Sequence, residues 1–115
     1  MRYNPYRVAF GDAVGAPGYT RSLMDARTQG GDVRIVYSIE DAVKIASKIE
    51  RNVVFMAVGF ETTAPTTAAV LLQKPPKNFS ILCCHRYVPP ALHALLSSGE
   101  IRIQGLIEPG HVSTI

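Results

Sequence analysis

The chain reads as an α/β domain: a parallel sheet of about five strands with helices on both faces. Three observations predict this. Apolar, β-branched runs recur at Tyr6–Phe10, Val33–Tyr37, Val53–Val58, Phe79–Cys84 and Ile103–Ile107. Helical patterns fill the intervals between them. Each run stops at a short polar or glycine-rich loop, reading GDAVGAPG, SIED, GFETTAP, HRYVPP and EPGHVS in turn. Strands that alternate with helices pair in parallel through right-handed crossovers.

Taken in order, the first run ends in a loop carrying Gly11, Asp12, Gly15, Pro17 and Gly18. A short helix follows over roughly residues 22–28 and closes at Gly30-Gly31. After the second run, Ser38 precedes Glu40 and Asp41, a capping-type start with acid in the first turn. Ala42, Ile45, Ala46 and Ile49 then fall on one helical face. The third run, VVFMAVGF, is apolar throughout, as expected of a central strand buried on both sides. Thr62 or Thr63 is placed to cap the next helix, with Pro65 in its first turn and residues 68–72 following. Lys74-Pro75-Pro76-Lys77 is a turn. Pro89-Pro90 opens a fourth helix with Leu92, Leu95 and Leu96 on one face and Gly99 at its end.

Size and composition bound the rest. A chain of 115 residues is one domain, long enough to bury a core without metal or disulfide staples. No apolar run approaches the roughly 20 residues that cross a bilayer, and residues 1–5 lack a signal-peptide core. The expectation is a cytoplasmic protein. The net charge of +3 is spread over scattered basic residues, without the basic stripe of a nucleic-acid binder. Cys83 and Cys84 are adjacent within a strand, where neighbouring side chains point to opposite faces. That spacing suits neither a disulfide nor a metal site, and the reading is a pair of buried packing thiols.

Parallel strands share one carboxyl edge, and ligands of open α/β sheets bind in the crevice there. Asp12, Glu61, His85 and His111, far apart in sequence, would gather along that rim. The strongest local signal is Gly59-Phe60-Glu61-Thr62-Thr63-Ala64-Pro65. Free N–H groups at a helix start favour an anion, and Glu61 can cap them, ligate a metal or orient a partner's side chain. The plainer reading is that the threonines cap the helix and Glu61 is solvated. Pro109-Gly110-His111 follows the last run; the glycine permits a tight turn, and the imidazole can move protons or bind metal. His85 stands equivalently with weaker support, and His93 lies within the fourth helix. G-x-G-x-x-G, the P-loop lysine and the nucleophile elbow G-x-S-x-G are all missing.

At these loops the chain resembles the HypD-type nickel–iron hydrogenase maturation proteins. GFETTAP, PGHVS and the stretch FGD…PG followed by DVRIVYSIEDAVKIA match that family's motifs in order, from about Val8 to Ser113. The resemblance implies a three-layer α/β/α, Rossmann-like domain. It implies a role in building the Fe(CN)2CO centre with HypC-type and HypE-type partners. Family members also carry cysteine motifs of the type CGGHTH and GPGCPVC, and further cysteines for a four-iron–four-sulfur cluster. None of these is in this sequence, and Gly15 stands where the family has an arginine. The residues that carry over are Gly59, Glu61, Thr62, Thr63, Pro109, Gly110 and His111, with Asp12. The expectation is a single domain over residues 1–115, an excised piece or a shortened relative. It would hold no iron or cluster itself, have no catalytic residue, and supply one wall of a cleft. Its cut surface would favour self-association. The alternatives are a small nucleotide- or metabolite-binding enzyme in the same crevice, or a degenerate interaction module.

Overall fold

The computed structural model describes residues 6–107, with side chains from residue 13 onward. Four strands form one parallel sheet: β1 (Tyr6–Phe10), β2 (Val33–Val36), β3 (Val53–Gly59) and β4 (Phe79–His85), in the order β2-β1-β3-β4. Four helices follow the strands: α1 (Leu23–Thr28), α2 (Ile39–Lys48), α3 (Ala64–Leu72) and α4 (Val88–Ser97). A 3-10 turn over Gly11–Gly15 links β1 to α1. The register is continuous from Val53↔Phe79 to Gly59↔His85 between β3 and β4. On its other side β3 pairs with β1, from Tyr6↔Val53 to Ala9↔Met56.

The strand order dictates where the helices go. The first crossover runs outward from β1 to β2, and the next two run the opposite way. Right-handed connections would send α1 to one face and α2 with α3 to the other. Burial agrees. Val53, Phe55 and Ala57 of β3 are fully buried in one cluster with Ile39, Ala42 and Ala46 of α2 and Val70 of α3. The small alanines leave room for the Phe55 ring. Ser38 starts α2 by accepting the Asp41 N–H at 3.1 Å, and Ser22 does the same for α1 in a reciprocal capping box with Asp25.

The opposite face is less complete. Val54, Met56 and Val58 are only half-buried, so the central strand is enclosed on one side rather than both. A groove of about 620 Å³ lies there, between Val54, Met56 and Leu82 on the sheet and Ala13, Pro17 and Leu23 across it. Helix α4 forms where expected but buries no residue, and its Leu95 and Leu96 stand half-exposed.

Two further expectations are corrected. Residues 103–107 form no strand; they are irregular and exposed, so the sheet has four strands among the described residues, not five. Gly105 interrupts the run, and residues 101–107 are all exposed, so no alternating face is buried as a strand's would be. Cys83 is exposed and Cys84 half-buried, both free, because β4 is an edge strand.

Candidate functional site

Register places Gly59, at the end of β3, beside His85, at the end of β4. The Gly59 carbonyl accepts the Arg86 N–H at 2.9 Å, which carries the strand ladder one step into the loops. Gly59 has φ +142°, and a Cβ on it would collide with the Thr63 side chain. Only glycine fits, on grounds of backbone conformation and of space.

Beyond Gly59 the chain turns tightly. The Thr63 N–H and Oγ1 both donate to the Phe60 carbonyl, at 3.1 and 2.9 Å. Thr63 is the residue preceding α3, yet its hydroxyl caps no amide. A capping residue needs extended backbone to swing its oxygen over the first-turn amides. Thr63 is instead helical, at φ −94° and ψ −21°, so its hydroxyl points back along the chain. The expected threonine cap is therefore not made.

Glu61 does cap a helix, but the next one. Its two carboxylate oxygens accept the Val88 N–H at 3.0 and 3.2 Å, at the first residue of α4. Pro89 and Pro90 have no N–H, so Val88 is the first-turn donor that most needs an acceptor. The negative charge also suits the positive end of the helix dipole. Glu61 is thus half-buried and tied to α4, not a solvated rim carboxylate.

His85 is gripped from both sides. Its Nδ1 lies 3.2 Å from Thr63 Oγ1, and its Nε2 lies 3.2 Å from Thr67 Oγ1. In the sequence His85 carries weaker support than His111, and Thr67 is not among the candidates. The signal was present: alternation along β4 puts His85 on the face of Phe79 and Ile81, towards α3, where Thr63 and Thr67 are one turn apart. Beside them a cavity of about 220 Å³ opens between the starts of α2 and α3, lined by Tyr37, Ser38, Thr62, Thr63, Thr66 and Thr67.

Of the candidates, Gly59, Glu61, Thr62 and Thr63 come together with His85 at this edge. Asp12 belongs by its backbone to the turn after β1, the strand next to β3; its side chain lies outside the described residues. Pro109, Gly110 and His111 also lie outside them. Among the described residues, no three His, Cys, Asp or Glu side chains converge into a group that could hold a metal ion. No described helix is long and apolar enough to cross a membrane.

Fold and site define a parallel α/β domain with a glycine-hinged Glu-Thr-Thr loop that leaves β3, a strand bordering the point where the crossovers reverse, and is fastened on its other side to the end of β4. The family model described as "HypD: Hydrogenase formation hypA family" matches residues 2–115, and the chain belongs to that family. It is 46% identical to the hydrogenase maturation factor HypD of Rhodobacter capsulatus and to that of Escherichia coli, over 110 residues and 92% of its length in each case. It is 51% identical over 109 residues, 91% of its length, to a protein of Methanocaldococcus jannaschii named for hydrogenase expression/formation. The chain spans only 29–30% of the length of these curated relatives.

Proposed function

We propose that this chain is the domain of a hydrogenase maturation factor that forms one wall of the cleft where the Fe(CN)2CO centre of nickel–iron hydrogenase is assembled. In this reading iron is cargo carried by partners of the HypC and HypE types, and the chain orients those partners rather than catalysing a step alone. The setting is cytoplasmic. Family membership supports the process, and the carboxyl edge of the sheet supports the surface.

One observation carries the proposal. The Gly59–Thr63 loop is held at three points, by Arg86 on Gly59, by Val88 on Glu61 and by His85 on Thr63, while Thr62 between them is exposed. A loop so restrained presents Thr62 with little ordering entropy left to lose on binding. It does so at the switch point between β1 and β3, where open α/β sheets take their ligands.

Isothermal calorimetry against a HypC-type partner tests this. Thr62→Arg adds bulk to the rim without touching the core, so the fold should survive and binding should weaken at least tenfold. Unchanged affinity in a variant with wild-type circular dichroism would remove Thr62 and its rim from the interface.

A further inference from the structure

The two threonine hydroxyls around His85 have one proton each, and that count decides how the imidazole is held. Thr63 Oγ1 lies 2.9 Å from the Phe60 carbonyl, within the good range for an O–H donor. Thr67 Oγ1 lies 3.4 Å from the Thr63 carbonyl, outside it. A neutral imidazole has one N–H and one bare nitrogen, so one hydroxyl must give its proton to the ring. Thr67 has the weaker bond to surrender.

We infer that His85 is a positioning residue for the Glu61–Thr62 rim, held as its Nδ1–H tautomer. The Thr67 hydroxyl donates to Nε2, Nδ1–H donates to Thr63 Oγ1, and the Thr63 hydroxyl donates to the Phe60 carbonyl. The result is a one-way chain of three hydrogen bonds running from α3 through the imidazole into the rim loop. The reversed chain would need Thr63 to give up its 2.9 Å bond to Phe60 and leave that carbonyl without its hydroxyl donor. Chains of aligned hydrogen bonds strengthen one another, so the imidazole stiffens the turn that presents Thr62. That the rim so held meets a partner rests on the function proposed above; the tautomer does not.

Long-range ¹⁵N–¹H correlation spectra of the full chain at alkaline pH read the tautomer directly. The expected pattern for His85 is a protonated Nδ1 and a bare Nε2, opposite to the form that predominates for histidine in water. Thr63→Val, which removes the acceptor of Nδ1–H and leaves Thr67 Oγ1 free to accept from Nε2, should return the ring towards the Nε2–H form. A wild-type His85 already in the Nε2–H form would overturn the inference. Binding provides the second readout. Asparagine can place its amide near Nδ1, whereas glutamine reaches towards Nε2, so His85→Asn should bind a HypC-type partner within about threefold of wild type. His85→Gln should lose about tenfold, the equivalent of one good hydrogen bond. Equal losses in the two variants would overturn the positioning role. If wild type binds no such partner while the Nδ1–H form is seen, the failure lies with the proposed function and the tautomer stands.

Discussion

The two ends of the sheet are both fastened by polar side chains, yet they are fastened differently. At the amino end, Asn78 Nδ2 lies 2.9, 2.8 and 3.0 Å from the carbonyls of Ala46, Ile49 and Arg51 and shares its two protons among them. The Asn78 carbonyl also accepts the Val53 N–H at 2.8 Å. One residue thus closes the end of α2 and joins the starts of β3 and β4, supplying donors to helix carbonyls that would otherwise lack them. At the carboxyl end, side chains bond to side chains and to a neighbouring helix start: His85 with two threonines, Glu61 with Val88. A glycine at positive φ stands between them. The amino end satisfies the backbone and serves stability. The carboxyl end holds a loop in one conformation and leaves Thr62 on it exposed.

Substitutions at the two ends should separate these roles. Gly59→Ala forces a side chain into positive φ and into Thr63, and should cost roughly 3 kcal/mol in urea unfolding, the upper range for local strain. Asn78→Ala should cost about 2 kcal/mol by opening the end of α2, while affinity for a HypC-type partner stays at the wild-type level. Loss of that binding in folded Asn78→Ala protein would erase the distinction between the ends. Ser38→Ala removes the cap of α2 and should cost about 1 kcal/mol, read from the same denaturation curves.

The smallest effect is one of pH. The Asp25 carboxyl is held below its ordinary value of 3.8, chiefly by the Ser22 backbone N–H and then by the Ser22 hydroxyl. A carboxylate with a depressed pKa adds stability above its unfolded value and loses it as pH falls through the folded value. Melting temperatures of wild type and Asp25→Asn should therefore differ near neutral pH and converge as the solution is acidified below 3.8. A gap that widened on acidification would contradict the capping box.

Much of this architecture was legible in the residues, for stated reasons. Four of the five expected strands and all four helices stand within a residue or two of their expected places, because apolar alternation, Ser38 and the Pro89-Pro90 start are local signals. The fifth strand failed because a β-branched run becomes a strand only when something covers it, and residues 101–107 are exposed throughout. The cysteines were misplaced for a related reason: the chain alone does not announce which strand is an edge. At the rim, Gly59, Glu61, Thr62 and Thr63 were recognised as a group, but their bonds were not. Glu61 reaches Val88 across 27 positions, and His85 reaches Thr63 across 22. Such contacts follow from strand register, which a one-residue slip would abolish.

A double-mutant cycle on Thr63 and His85 tests the central claim, that the carboxyl edge joins these distant residues into one restrained loop. Unfolding free energies of wild type, Thr63→Val, His85→Ala and the double variant should show a coupling of about 1 kcal/mol, within the range for residues in contact. Costs that simply add, to within about 0.3 kcal/mol, would mean that the two side chains act independently and that the rim is not held as described.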